Sequence, residues 1–341
     1  MNRLGPLVDA AVAKTGGGRG RIGLVVGVIA GDEEWVAGYG RARLDGSAPP
    51  GRDTVFEIGS ITKVFTAVAL ADLAEQGIVR LEDPLRSHLP ASVRVPVHPR
   101  GEIALHHLAS HTSGLPREAR RVYRLALRDF RNAFSRLTRE DVFGDLARTK
   151  LRRPPGRRYR YSNLGAGLLG HALEHRSGLA YEELVRRRVL APLGLESTFI
   201  EPPAKYRALV ARGYTRRRKP VPPWSMGALE GAGALRSTAA DMLVFLRANL
   251  EPSQMGGRLA RALALTHQPR VKRSGISVGL GWHRLPLRRK GVETIWHNGG
   301  TGGFRSFAGF VPESRTAVVA LANTNRLVDG LAIELLRALN P

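Results

Sequence analysis

Strand-like patterns gather at the two ends of the chain with a long, mainly helical stretch between them, and this distribution narrows the possible architectures more than any other feature. Residues 22–29 are apolar almost without a break. Residues 35–39 resume a strand pattern after the acidic turn Asp32-Glu33-Glu34, so the pair reads as a hairpin. At the other end, residues 278–283, 294–297, 304–310 and 317–322 carry strand patterns. A helix over residues 6–14, stopped by Gly16-Gly17-Gly18, opens the chain, and a helix over 329–339 closes it. From about 85 to 270 the periodicity is mainly helical, as in 102–109, 122–137, 164–174 and 239–250, with loops rich in Pro and Gly. The simplest solution is an α+β fold: one antiparallel sheet made from both chain ends, flanked by helices, with an inserted mainly helical lobe. The expectation is a single domain over 1–341, with an α/β lobe at about 1–85 and 270–341 and a helical lobe at about 86–269.

Composition excludes several classes. The apolar content of 43% is that of a globular protein rather than a disordered one. No apolar run reaches about 18 residues, so no membrane span is expected. Met1-Asn2-Arg3-Leu4-Gly5-Pro6 leads into no apolar stretch or small-residue cleavage site, so a cytoplasmic location is expected. The absence of cysteine excludes disulfides, thiolate catalysis and cysteine-based zinc sites. The formal net charge is +24, mostly from arginine, which suits either an acidic partner or an arginine-rich solvated surface. The arginines are scattered, and the runs Arg186-Arg187-Arg188 and Arg216-Arg217-Arg218-Lys219 carry no interleaved aromatics. Nucleic acid is therefore not an expected partner.

Three short motifs carry residues with chemical potential. Residues 61–76 are apolar almost all round (Val64, Phe65, Val68, Ala69, Leu70, Leu73), the pattern of a buried helix, with Gly77 placed to cap it. Ser60-Ile61-Thr62-Lys63 opens that helix, so Ser60 and Lys63 fall one turn apart on one face. A serine hydroxyl is a poor nucleophile without a base, and a desolvated lysine supplies one. The helix N-terminus adds a preference for negative charge. The second motif is Tyr161-Ser162-Asn163, introduced by Pro155-Gly156. A nearby cation is expected to lower the phenol pKa so that Tyr161 can exchange a proton. Asn163 is expected to orient Lys63 and to bond a substrate carbonyl. The third, His297-Asn298-Gly299-Gly300, follows a strand pattern and leads into Thr301. Its glycines let a substrate approach the backbone, and the strand edge can offer an N–H to a developing oxyanion. Composition alone gives about 0.3 chance occurrences of S-x-x-K, about 0.2 of Y-x-N and roughly one of H-x-G. Taken singly, Ser60 reads as a helix cap, Tyr161 as a core residue and His297 as an ordinary histidine. The information lies in order, spacing and context: helix start, loop, strand end.

Phe56-Glu57-Ile58-Gly59-Ser60-Ile61-Thr62-Lys63 resembles the nucleophile segment of the serine β-lactamase and penicillin-binding-protein superfamily, in its class C β-lactamase-like branch. Leu108-Ala109-Ser110-His111-Thr112-Ser113-Gly114-Leu115-Pro116 resembles a recurrent loop of that branch. Pro155-Gly156 through Asn163 resembles its second motif, and residues 231–241 and Gly279-Leu280-Gly281-Trp282 match further habits. The resemblance covers nearly the whole chain. The branch also holds DD-peptidases, family VIII esterases, D-aminopeptidases and acyltransferases.

The resemblance implies a β-lactamase/transpeptidase-like fold and a serine hydrolase that cleaves an ester or amide through an acyl-enzyme on Ser60. It assigns the proton transfers to Lys63 and Tyr161, and the oxyanion hole to the N–H groups of Ser60 and Gly300. Substrate contacts fall to Asn163, His297, Asn298, Gly299 and Thr301. No organic cofactor and no metal are implied. His297 stands where many members carry a lysine that helps hold a substrate carboxylate. This favours an esterase- or peptidase-like activity over a dedicated β-lactamase or DD-carboxypeptidase. His111 is read as structural, because Ser60, Lys63 and Tyr161 already supply the chemistry. Acyl transfer or peptide cyclisation, and a non-catalytic penicillin-binding module, are the other roles in view; the intact Ser-Lys-Tyr set argues against the last. The expected substrate is a small-molecule or peptide acyl compound. An acidic protein presenting an acyl group is a candidate partner, since the family layout puts Arg120, Arg121, Arg152, Arg153, Arg157 and Arg158 near the site mouth.

Overall fold

The computed structural model describes residues 3–15, 22–46, 48–129, 132–273, 276–287 and 291–341. Its strands are β1 (Gly23–Ala30), β2 (Glu33–Gly40), β3 (Phe56–Glu57), β4 (Arg236–Ser237), β5 (Val271–Arg273), β6 (Ile276–Val278), β7 (His283–Pro286), β8 (Glu293–Gly300), β9 (Arg305–Val311) and β10 (Thr316–Ala322).

β1 shows why the sheet has two covered faces. All eight of its residues are buried, and successive side chains leave on opposite sides. Val25 and Ile29 enter a core shared with the helix Thr62–Glu75 and the helical middle of the chain. Leu24, Val26, Val28 and Ala30 enter a second core under the helices Leu4–Lys14 and Asp329–Leu339. β10 divides in the same way, with Ala317, Val319 and Leu321 on one side and Val318 and Ala320 on the other. Gly27 has no side chain where the helix Ala239–Leu250 crosses; a Cβ there would lie 2.8 Å from Leu243 and Val319.

The large sheet runs β2-β1-β10-β9-β8-β7-β6-β5, antiparallel throughout, and β3 pairs separately with β4. Its strands come from residues 23–40 and 271–322, so both chain ends build it, joined where Leu24 faces Ala322 and Ala30 faces Thr316. The α+β class read from the sequence is the observed one.

Several local expectations shift. The hairpin turn is Gly31-Asp32, because a two-residue connection needs a left-handed residue and Gly31 has φ 61°; Glu33 and Glu34 open β2 instead. The pattern over 278–283 breaks into β6 and β7 around a turn in which Gly281 has φ 75°. The helix expected over 102–109 is only Leu105–Ala109, since Ile103 accepts a hydrogen bond from Leu85 and Ala104 bridges Pro84 in extended form. The helix expected over 122–137 is Arg120–Ala126, after which the N–H groups of Arg128 and Asp129 both turn back to Leu125. The helix Asn163–Ser177 overruns its expected end and stops at Gly178, φ 70°. The stop expected at Gly16-Gly17-Gly18 lies outside the described residues.

Candidate active site

Ser60 sits in a single 3-10 turn, Gly59–Ile61, between β3 and the helix Thr62–Glu75. That helix is buried from Thr62 to Leu73, as a sequence without a polar face requires. Lys63 is thereby carried into the interior, 3% exposed, while Ser60 stays half-buried at the cleft. The one-turn spacing brings Lys63 Nζ to 3.0 Å from Ser60 Oγ, and the amine also donates to the carbonyl of Ala232. Burial is the largest influence on this amine and lowers its pKa from 10.5 to about 7; Glu118 raises it and Arg117 lowers it by smaller amounts. Near neutral pH a large share of Lys63 therefore carries a lone pair that can accept the Ser60 proton.

The C-terminal end of β8 closes the site from the other side. β7 begins its pairing with β8 at Trp296, so residues 297–300 run past it toward the Ser60 turn. Two glycines make the approach possible. Gly59 has φ 51°, and a Cβ on it would lie 2.7 Å from Gly300 N; a Cβ on Gly299 would lie 2.0 Å from Ile58 O. The backbones of residues 58–59 and 299–300 are thus in close approach, so the turn that carries Ser60 lies against the end of β8.

Tyr161 is held by the Leu108-to-Pro116 loop. Ser162 Oγ accepts from the Gly165 N–H at 2.8 Å, capping the helix that follows, and donates to Pro116 O at 2.6 Å. The N–H of Ser162 donates to His111 Nδ1 at 3.2 Å, and that of Arg160 to His111 O at 2.7 Å. His111 is thus a template for the second motif, in keeping with its reading as structural. The Tyr161 ring lies 5.0 Å from Lys63 Nζ, 4.9 Å from Arg117 Cζ and 4.3 Å from the His111 ring, with Ser60 near enough to its hydroxyl to favour a lower phenol pKa. The expected lowering of the phenol pKa does not occur. Burial outweighs Ser60 and Arg117 and pushes it up to about 12, so Tyr161 is a neutral phenol at rest.

The other expected residues divide. Asn163 reaches the cleft, but its Nδ2 donates to Glu118 Oε1 at 2.7 Å and no hydrogen bond joins it to Lys63 among the described residues. The Glu118 carboxyl competes successfully for the amide. Asn163 Oδ1 and Glu118 Oε2 are both buried without a partner. His297 is fully buried; its Nδ1 donates to Asn298 O at 2.6 Å, leaving Nε2 without a partner. Burial first, then His283 and Lys63, hold its pKa well below the ordinary value, so the ring is neutral. Strand alternation turns Asn298 to the opposite face, where its amide donates to Asp329 at the start of the last helix. Thr301 Oγ1 donates to Glu57 Oε2 at 2.6 Å. The side chains of Asn298 and Thr301 are therefore spent inside the protein rather than offered to a substrate.

Gly59, Arg117, Glu118, Tyr159 and His283 also build the site and went unread in the sequence. Tyr159 OH meets His283 Nε2 at 2.9 Å, and the His283 ring lies 5.0 Å from that of His297. Burial, then Lys63, push the His283 pKa down to about 4. A lone histidine or glutamate carries no spacing signal; only the adjacency of Arg117-Glu118 to the Leu108-to-Pro116 loop offered a cue. Among the described residues, no three His, Asp or Glu side chains are grouped to hold a metal ion, and no helix is long and apolar enough to cross a membrane.

A family model described as Beta-lactamase matches residues 8–339. The D-alanyl-D-alanine-carboxypeptidase/endopeptidase AmpH of Escherichia coli (strain K12) is 31% identical over 322 residues, which cover 91% of this chain and 81% of that protein. A β-lactamase of Pseudomonas fluorescens is 29% identical over 344 residues, covering 89% and 88%. Among solved structures, a β-lactamase/D-alanine carboxypeptidase from Pseudomonas syringae shares the fold with a TM-score of 0.87 over 100% of both chains, at 24% identity. The chain belongs to the β-lactamase family and is a serine hydrolase that acts through an acyl-enzyme.

Proposed function

We propose that Ser60 is the nucleophile of an esterase- or peptidase-like hydrolase, with Lys63 as the activating base and Tyr161 as the proton relay. The observation that carries this is a buried amine, its pKa lowered to about 7, at 3.0 Å from a half-buried serine hydroxyl. Ser60 Oγ attacks the carbonyl carbon and its proton passes to Lys63, while the carbonyl oxygen becomes an oxyanion facing the N–H groups of Ser60 and Gly300. As the tetrahedral centre collapses, Tyr161 gives its proton to the departing alcohol or amine and is reprotonated from Lys63. The bond to the leaving group breaks and an ester on Ser60 remains. Water then attacks that ester, giving up a proton by the reverse relay, and Ser60 regains its own as the acid product leaves.

Neutral and fully buried, His297 puts no fixed charge beside the acyl group. This supports short, uncharged acyl groups on activated esters, with Asn163 and the Gly299 backbone as the other near surfaces. The named activities of the relatives, on D-alanyl-D-alanine peptides and β-lactams, are amide cleavages open to the same route. A cytoplasmic location goes with this reading and is tested by cell fractionation.

The test is intact-mass spectrometry after incubation with a fluorophosphonate, a penicillin and p-nitrophenyl esters, followed by kinetics. One adduct, on Ser60, is expected, and it disappears in a folded Ser60→Ala variant together with turnover. Lys63→Ala and Tyr161→Phe should each lower kcat by about 10² to 10⁴-fold. Undiminished turnover in Ser60→Ala overturns the nucleophile, and a kcat/KM higher for a penicillin or a D-Ala-D-Ala peptide than for esters overturns the ester preference.

A further inference from the structure

Beside the site lies a cleft of about 920 Å³ that contains no acidic residue in its lining. Its walls carry Arg120, Lys150, Arg152, Arg153, Arg158 and Arg160, together with Arg148. Several arginines elsewhere are paired with carboxylates, among them Arg139 with Glu174, Arg186 with Glu183, Arg258 with Asp72, Arg284 with Glu293 and Arg315 with Asp32 and Glu251. In the cleft, only Arg148 has an acidic neighbour among the described residues, Asp145 at 3.9 Å. Asp145 itself is occupied by the N–H of Arg121. Gathering like charges in a concave wall is unfavourable for the free protein, and it focuses a positive potential where a ligand can enter. Guanidinium groups match the oxygens of carboxylates and phosphates in pairs, so the chemistry of the wall specifies an oligoanion.

The cleft also shares residues with the segments that hold Tyr161. Gly114, Pro116, Tyr159 and Arg160 line it. Pro116 anchors Ser162 and Arg160 is tied to His111, while Tyr159 bonds His283. The volume suits a ligand-sized group rather than a flat protein face.

We propose that this cationic cleft is a subsite for an oligoanionic tail of the acyl substrate, a run of carboxylates or a phosphate carried away from the reacting carbonyl. The proposal rests on the hydrolase reading of Ser60. It separates two tasks: around Ser60 the buried, neutral His297 adds no fixed charge, and selectivity for charge is exerted farther out.

The experiment compares three p-nitrophenyl-type esters with the same acyl group, bearing a tri-glutamine tail, a tri-glutamate tail or a phosphate-ended tail, at about 20 mM and about 500 mM salt. Tri-glutamate or phosphate should raise kcat/KM over tri-glutamine by about tenfold or more at low salt, and most of that ratio should vanish at high salt. In a Lys150→Ser/Arg152→Ser/Arg153→Ser variant, altered only at exposed positions, the ratio should fall toward one. Binding of a fluorescent tri-glutamate ester to Ser60→Ala, read by anisotropy, should weaken in parallel. Equal rates for the three esters, a ratio indifferent to the triple variant, or an advantage seen only when the anion is a folded acidic protein each overturn the subsite. If no ester is turned over in a Ser60-dependent way, the hydrolase reading fails, and the anisotropy still decides the subsite.

Discussion

Lys63 and Tyr161 share one buried setting and respond to it in opposite directions, because burial disfavours whichever form carries charge. For the lysine that is the protonated form, so its pKa falls to about 7; for the phenol it is the phenolate, so its pKa rises to about 12. On the proposed route the resting base is therefore Lys63. Below pH 7 it is protonated and cannot accept the Ser60 proton, so kcat/KM should climb with pH through about 7. His111 and His297 are held well below their ordinary value and His283 at about 4, so no histidine limb should appear between pH 5 and 6.5. His297→Gln should leave the midpoint of the rise in place; a midpoint that moves or disappears would transfer the role of base to His297. The same shift acts on folding. Between about pH 7 and 10.5 the unfolded chain holds the Lys63 proton that the folded one has lost, so stability from this group rises across that window and is lost as the pH falls through 7. Spacing made Ser60, Lys63 and Tyr161 readable in the sequence. The sign of the Tyr161 shift was not readable, since it depends on how much solvent the fold excludes.

At the scale of elements, the site is a junction between the start of one helix and the end of one strand. The helix was legible as an unbroken apolar run, and β8 as a strand pattern. Their contact was not, because it depends on Gly59 and Gly299 having no Cβ, and glycine is too common here to announce a close approach. Gly59→Ala tests the junction. The left-handed backbone alone costs about 1–2 kcal/mol. The added carbon must also displace Gly300 N and O, which it would meet at 2.7 and 3.0 Å. The variant should melt only a few degrees lower yet lose about 10² to 10³-fold in kcat, as expected when an oxyanion donor moves. Normal kcat in a variant with a lowered Tm would show that the strand end is not part of the catalytic geometry. Thr301 and Asn298 teach the reverse lesson. Their place in a motif suggested substrate contact, and the turn and alternation of β8 send the Thr301 side chain to Glu57 and that of Asn298 to Asp329.

For the whole molecule, the +24 charge looked like a diffuse property when only the sequence was in view. With 53 Lys and Arg against 29 Asp and Glu, much of it stays without an acidic partner, and folding gathers one share of it in a single cleft by bringing Arg120 beside residues 148–160. The sheet follows the same logic of distant partners. β1 pairs with β10, and the Ser60 turn rests on β8, so neither chain end can complete the structure alone. A chain ended at residue 292 keeps β1, β2 and the Ser60 helix but lacks β8, β9 and β10. It should show no cooperative thermal transition by circular dichroism, and a cooperative one would mean that the N-terminal strands are stable without their partners. Contacts of such long sequence separation form late. At ribosomal speeds, the stretch from Ser60 to Gly300 takes on the order of tens of seconds to emerge. Throughout that interval a nascent chain carries the serine and its lysine but no second wall for the oxyanion. On the proposed mechanism the chain stays silent during its own synthesis, and its birth as a catalyst coincides with the arrival of its last strands.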